Sequence, residues 1–271
     1  MKFAFMSFST PELTLDETLS LASELGYDGI EPRAGSGHAH GIELSAPDRD
    51  RKTIKQKAAD AGVALCCLAV SCRYADPTTV ADQVEETHQY IDLAADLGIP
   101  ALRVFGGQIP EGIERDTAIE NVANALGSVA SHAEDRNVAV CMETHDDWCD
   151  PNHVAAIMAA VDASAIAVNW DIWHPLRRGN STMDAAFETL RPWIRHAHIH
   201  DGSTNPNALE LKPIGQGEVD HQRAMELLHA DQYSGYLSGE WIKWEPHQTH
   251  LPREISTLKR LLNTIEGKVA E

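Results

Sequence analysis

Eight short apolar runs, each followed by a stretch that favours helix, set the narrowest limit on what this chain can fold into. The runs are KFAFMSF, YDGIEP, VALCCLAV, ALRVFGG, VAVCMETH, AIAVNWDI, IRHAHIH and GYLSGEW. Most are apolar nearly throughout, as expected of strands buried on both faces, and such strands belong to parallel sheets covered by helices. Eight strand and helix alternations close best into a (β/α)8 TIM barrel. The doubly wound open sheet would call for a glycine-rich phosphate loop after the first strand, and STPELTL offers none. No linker, low-complexity segment or charge block divides the 271 residues, so one α/β barrel domain over 1–271 is expected.

Local signals punctuate the same alternation. Capping residues followed by proline mark four helix starts, at Thr10 and Pro11, at Ser45, Ala46 and Pro47, at Asp76 and Pro77, and at Asp150 and Pro151. Proline at the first helical position gives up only an amide that has no helical acceptor. Gly26, Gly62 and Gly98 follow three of these helices as stop residues, because glycine tolerates the left-handed conformation that ends a helix. The stretches 38–45 and 204–216 are the longest irregular segments, and a barrel would place both on its catalytic face as lids or substrate walls.

Composition narrows the partners. A formal net charge of -19 repels polyanions and removes the counterion-release contribution to nucleic-acid affinity, so no nucleic-acid partner is expected. The opening MKFAFMSFSTPE is too short an apolar run before Pro11 for a secretory signal, and no later run approaches a membrane span. A cytoplasmic protein without a membrane partner is therefore expected. Five cysteines, with Cys66 and Cys67 adjacent in one apolar run, read as reduced core thiols and not as a disulfide framework. Cys141 and Cys149 bracket Glu143, but a hard oxygen-rich site has little use for thiolates, and packing is the better account of both.

In each of the last four runs a chelating residue falls at or beside the carboxyl end: Glu143, Asp171, His198 and Glu240. Barrel enzymes place their chemistry there because the strand ends converge on one rim. Any one such residue would ordinarily be a cap or an ion-pair partner, whereas four at matching positions point to a site. Three carboxylates and one imidazole form a hard shell suited first to Mn2+, with Mg2+, Co2+ or Zn2+ also compatible. Structural zinc would want cysteine and histidine spacings that are absent. An open position on the ion could take two oxygens of a sugar, polarise its carbonyl and stabilise an enediolate.

Other polar residues surround this set. His174 follows Asp171 by three positions, with Pro175 turning the chain, so both side chains can face one ion or substrate. Trp173 between them can wall a sugar ring or simply pack. In HAHIHD the three histidines share one face of a strand; His198 suits the height of the ion, His196 lies deeper as a partner behind it, and His200 and Asp201 begin the loop. Asp201 is a candidate to orient a substrate hydroxyl or the ligand imidazole, and equally a turn residue before Gly202. Arg103 in ALRVFGG and Lys212 in LKPIGQGE are candidates to hold a substrate anion or hydroxyl, against strand-end pairing and plain solvation.

With GIEP, METH, WDIWHP, HAHIHDG, PIGQGEVD and YLSGEW in place on eight alternations, the chain resembles the xylose-isomerase-like superfamily of sugar isomerases and epimerases, to which D-tagatose 3-epimerase belongs. The resemblance spans nearly the whole chain and specifies a superfamily rather than a substrate. It implies that Glu143, Asp171, His198 and Glu240 are the metal ligands, that Glu143 and Glu240 also remove and return a proton, and that His174 contacts substrate. In the segment GIEPRAGSGHAHGIEL, the residues Glu31, Arg33, His38 and His40 make a substrate wall more polar than the ketose epimerases lead one to expect.

The function expected is thus a divalent-metal-dependent isomerase or epimerase of a small carbohydrate, working through an enediolate. A lyase or dehydratase acting on a keto sugar or keto cyclitol would use the same centre, with Arg33, His38 and His40 close by to supply the acid that a leaving group needs. Phosphodiester hydrolysis wants more histidines and a basic surface. A sugar-binding protein would have little use for both glutamates. Barrels of this kind often form homo-oligomers, and the sequence shows no surface for one.

Overall fold

The computed structural model describes residues 1–207 and 209–267. The strands are β1 (Lys2–Met6), β2 (Gly29–Glu31), β3 (Ala64–Leu65), β4 (Leu68–Arg73), β5 (Ala101–Phe105), β6 (Ala139–Glu143), β7 (Ile166–Asp171), β8 (Ile194–Ile199), β9 (Asp201–Gly202), β10 (Leu211–Lys212) and β11 (Tyr236–Gly239). The helices are α1 (Leu15–Leu25), α2 (Asp48–Ala61), α3 (Val80–Leu97), α4 (Arg115–Asp135), α5 (Pro151–Val161), α6 (His174–Arg178), α7 (Met183–Leu190), α8 (His221–Ala230) and α9 (His247–Ile265). All eight apolar runs become staves of one parallel sheet, ordered β3-β2-β1-β11-β8-β7-β6-β5-β4.

The two ends of that order, β3 and β4, are halves of the single run VALCCLAV, interrupted at Cys66 and Cys67. Hydrogen bonds from Cys66 N to Ile30 O (3.0 Å), Ala69 N to Pro32 O (2.9 Å) and Ala34 N to Ala69 O (3.0 Å) carry the second stave across the break and close the barrel. A (β/α)8 TIM barrel is therefore the architecture, with β9 and β10 forming a separate antiparallel ribbon. All five cysteines are free and buried. Among the described residues no helix is long and apolar enough to cross a membrane.

Side-chain parity sorts the staves into two environments. Phe3, Phe5, Ile30, Leu102, Val104, Val140, Met142, Val168, Trp170, Ile199 and Leu237 join the large core under the helices. The opposite parity fills the lumen. Small residues occupy its lower end, where Ala4, Cys66, Cys67, Ala101, Cys141 and Ala167 cluster. Toward the C-terminal rim the same parity turns polar, with Glu31, Arg103, Glu143, Asn169, Asp171, His196, His198 and Ser238 all buried. A parallel barrel thus converts a two-residue period into a dry wall on one side and a polar, convergent lumen on the other.

Helix punctuation follows the sequence in part. Gly26, Gly62 and Gly98 end α1, α2 and α3 in the left-handed conformation, at φ of 75°, 66° and 73°. Asp150 caps α5, with Pro151 as its first residue. The start expected at Thr10 and Pro11 lies instead at Thr14, because Glu17 completes a capping box: Glu17 N donates to Thr14 Oγ1 (3.4 Å) and Thr14 N to Glu17 Oε2 (2.8 Å). Asp76 spends its carboxylate on a turn, accepting from Thr78 N at 2.9 Å, so α3 begins four residues later at Val80. Pro47 precedes α2 rather than opening it. Replacing Thr14 by Ala should cost about 1 kcal/mol through loss of the cap, lowering Tm by about 2–4 °C in a chain of this size. An unchanged melting curve would show that the box contributes nothing to the start of α1.

Candidate metal centre

Glu143, Asp171, His198 and Glu240 come from adjacent staves β6, β7, β8 and β11, and register explains why they meet. Asp171 pairs with His198, and His198 with Ser238, two positions before Glu240 on the same face. Glu143 ends β6 opposite Asn169, two positions before Asp171. One ligand atom from each of the four lies within 4.8 Å of the other three, and all four side chains are buried. His198 Nδ1 stands 3.4 Å from Glu143 Oε1 and 3.4 Å from Glu240 Oε2.

Polar atoms of this cluster are short of partners: Glu143 Oε1 and His198 Nδ1 make no hydrogen bond, and Glu143 Oε2 has the ion pair with Arg103 Nε at 3.1 Å. Orphaned buried acceptors beside other carboxylates are costly unless a cation gathers them. The set therefore fits a divalent ion. Asp171 is aimed by its own turn, in which Oδ1 accepts from Trp173 N (2.8 Å) and His174 N (2.9 Å). That leaves Oδ2 for the centre and for His200 Nε2 at 2.7 Å.

Glu31, at the end of β2, decides which nitrogen of His198 is free. Its carboxylate lies 2.9 Å from His196 Nε2 and 3.1 Å from His198 Nε2. A carboxylate only accepts, so His198 donates from Nε2 to Glu31, and Nδ1 is the nitrogen that faces Glu143 and Glu240. Burial alone would raise the Glu31 carboxyl, but the charges of His198 and His196 hold it well below its ordinary range. Burial likewise depresses the His198 imidazole, yet Glu31, Glu143 and Glu240 carry it well above its usual value. Burial also opposes ionisation of Glu240, and His198 overcomes it, holding that carboxyl down at about 2.

Arg103 does not stand at the mouth. It is buried in the lumen, with Nε 3.1 Å from Glu143 Oε2, Nη1 donating to Val70 O at 2.8 Å, and its guanidinium over the Phe105 ring. Trp173 and His174 do face open space: with His145, His200 and Glu240 they line a cavity of about 470 Å³. Its outer wall is made by Leu209, Leu211, Ile242 and Trp244. Trp173 is held by its Nε1 donating to Ser203 O (3.0 Å), and His174 meets His145 and His200 edge-on. Burial pushes the His174 imidazole down to about 4.

Two candidates have other work. Asp201 is fully buried and accepts from Gly202 N (2.8 Å), Gly215 N (2.8 Å), Gly217 N (3.0 Å) and Val219 N (3.2 Å), shaping the loop ahead of α8 and touching neither His198 nor the cavity. A Cβ on Gly217 would come within 2.1 Å of Asp201 Oδ1, which accounts for the glycine in PIGQGE. Lys212 pairs with Glu210 on the ribbon, and Lys243 is the lysine that reaches the cavity. Arg33, His38 and His40 gather on Ser7: its Oγ accepts from Arg33 N (2.8 Å) and lies 2.9 Å from His38 Nδ1 and 3.2 Å from His40 Nε2.

Sequence reasoning set Glu31 in the substrate wall and not behind His198, did not single out His145 or the apolar wall as parts of the site, and left His200 to the loop. Parity marks Glu31 and His200, each standing where a lumen-facing position meets the rim. Trp244, Leu209 and Ile242 carry no such mark, because irregular segments bring them in.

Fold and centre together define a TIM barrel that presents an acid and histidine cluster on its C-terminal rim. Residues 19–261 match the family described as "Xylose isomerase-like TIM barrel", and the chain belongs to it. Among its curated relatives is a 3-dehydroshikimate dehydratase of Bacillus anthracis, 23% identical, the match covering 89% of this chain and 91% of that protein. L-ribulose-5-phosphate 3-epimerase UlaE of Salmonella typhimurium is 25% identical over 83% of this chain and 81% of its own length. A solved D-tagatose 3-epimerase-like protein superposes over 100% of both chains with a TM-score of 0.80 at 22% identity. These two relatives are thus named as enzymes of different kinds, a dehydratase and an epimerase.

Glu31→Gln keeps the shape at β2 but removes the charge that fixes His198. It should weaken divalent-metal affinity by about 10–100-fold, the usual penalty for losing an acceptor behind a ligating histidine. Calorimetric titration with Mn2+ checks this, and an affinity equal to that of the parent would remove Glu31 from the centre.

Proposed function

We propose that the protein is a divalent-metal-dependent isomerase or epimerase of a sugar or sugar derivative. The observation that carries this reading is the placement of Glu143 and Glu240: they stand at the two ends of the four-stave arc, each 3.4 Å from His198 Nδ1, and Glu240 opens on the cavity. Glu143, Asp171, His198 and Glu240 would hold the ion, and Mn2+ is the ion the oxygen-rich set favours. A divalent ion bound there supplies Lewis acidity, making the hydrogen beside a substrate carbonyl easier to remove.

The chain's own residues do the rest. One glutamate takes the proton from the carbon beside the carbonyl, and the other, approaching from the far side, returns one to the enediolate. Return to the same carbon on the opposite face inverts it; return to the former carbonyl carbon moves the carbonyl. Glu240 is placed for the role of base, since it lines the cavity beside Trp173 and His174. Arg103 holds Glu143 from behind. Trp173 and His174 contact the substrate along the cavity, with Trp244 and Leu209 excluding water on the outer side.

A second reading is elimination from a keto sugar or keto cyclitol, favoured by the dehydratase relative. The same proton is lost, the C–O bond at the β carbon breaks, a C=C bond forms, and the hydroxyl leaves as water after accepting a proton. The two readings part in deuterium oxide. Incubation of metal-loaded protein with D-tagatose, L-ribulose 5-phosphate and 3-dehydroshikimate should give, for epimerisation or isomerisation, a product of substrate composition carrying solvent deuterium. Elimination would give a dehydrated product. Glu143→Gln and Glu240→Gln should each lower kcat by about 10²–10⁴-fold, with metal content measured alongside. Turnover that survives chelation, or product without deuterium at any carbon and without dehydration, sinks the proposal.

A further inference from the structure

The lumen carries two guanidiniums, and only one has a carboxylate beside it. Arg103 lies on Glu143. Arg33 is only 7% exposed, and its side chain meets three neutral acceptors: Nη1 donates to Ala69 O (3.1 Å) and to Ala34 O, and Nη2 to Ser71 Oγ. No ion pair of Arg33 occurs among the described residues. A guanidinium has five N–H donors, so Nε–H and one Nη2–H are left over. Those two nitrogens form the side-on fork that matches the two oxygens of a carboxylate.

Position follows from parity. Glu31 points into the lumen, where it meets His196 and His198. Arg33 is two residues further on and bridges in parallel to Ala69, so its side chain turns to the same side roughly 7 Å nearer the rim. Ala69 is also the register partner of Arg103, which sets the two arginines on either side of β4. Burial, and then the neighbouring Arg103, pull the Arg33 pKa down to about 10, against weaker opposing contributions from Tyr90 and Glu43, neither of which makes an ion pair with it.

The backbone of Arg33 is pinned by a directed hydrogen-bond chain. His40 Nδ1 accepts from Ile42 N (3.0 Å), so its Nε2 carries the hydrogen and donates to Ser7 Oγ (3.2 Å). Ser7 Oγ also accepts from Arg33 N (2.8 Å), which leaves its own hydrogen for His38 Nδ1 (2.9 Å). Nearby, the amides of Gly35, Ser36 and Gly37 form the kind of cradle a phosphate would use, and the carboxylate of Glu43 already fills it. What remains is a flat edge with two donors.

We propose that the substrate carries a carboxylate and that Arg33 receives it through Nε and Nη2, so that the site takes a polyhydroxylated keto acid in preference to a neutral ketose or a sugar phosphate. This rests on the reading of the barrel mouth as a metal-dependent active site.

Calorimetric titration of the Mn2+-loaded protein tests it, with 3-dehydroshikimate, its methyl ester, D-tagatose and L-ribulose 5-phosphate as probes. The acid should bind at least tenfold more tightly than the ester or the ketose, and Arg33→Gln should erase that preference. Arg33→Lys should restore part of it. Both variants should lose some thermal stability with the hydrogen bonds to Ala34 O, Ala69 O and Ser71 Oγ, yet melt in one cooperative transition and keep the parent's Mn2+ affinity, which separates loss of the subsite from loss of the fold. Equal binding of acid and ester, equal weakening of both by Arg33→Gln, stronger Arg33-dependent binding of the phosphate ester, or no binding of the acid would each overturn the proposal. Deuterium exchange on the bound acid is followed separately: an Arg33-dependent preference without exchange or dehydration keeps the subsite and rejects the reaction, whereas exchange on the neutral ketose alone does the reverse.

Discussion

Glu31 reaches across the lumen from β2 to the Nε2 of His198 on β8, and the geometry of the whole centre depends on that contact. Because the carboxylate accepts, the histidine can present only Nδ1 to the rim, and Glu143, Asp171 and Glu240 converge on that side. The contact also joins two staves separated in the sheet by β1 and β11, so it ties the site to closure of the barrel. An imidazole free to rotate or exchange tautomers would leave three carboxylates repelling one another with no fixed nitrogen among them.

Such a centre is expensive for a protein interior. Four carboxylates, three imidazoles and two guanidiniums lie buried on the lumen side, where apolar side chains would pack at no electrostatic cost. The fold offsets this by keeping the two environments apart. The outward parity of the same strands is apolar and sealed under helices, while small residues close the lower lumen and leave the polar layer only near the rim. Stability and chemistry are thus assigned to alternate residues of one strand.

Much of this was legible in the chain, and the parts that were not share a cause. Strand runs, the glycine stops and the rim positions of Glu143, Asp171, His198 and Glu240 depend on short-range pattern, which the barrel repeats stave by stave. Helix starts were misplaced where a local competitor won, as when Glu17 completed a box on Thr14 or Asp76 closed a turn on Thr78. Asp201 was readable equally as an orienting group and as a turn residue, and Arg103 as a substrate contact or a strand-end ion-pair partner. Four backbone amides claim the first, and the second reaches inward to Glu143, facts that no spacing encodes.

By itself the sequence determined the architecture and the chemical character of the rim, since a two-residue period of apolar and polar side chains repeated on eight parallel staves can bury both faces in only one closed form. Tertiary structure alone decided pairings across the lumen. Which histidine nitrogen is free, which arginine has a counter-ion, and which loop residues wall the cavity depend on atoms brought together from positions as far apart as Glu31 and His198. Strand parity says that a side chain enters the lumen; only closure of the barrel says what it meets there.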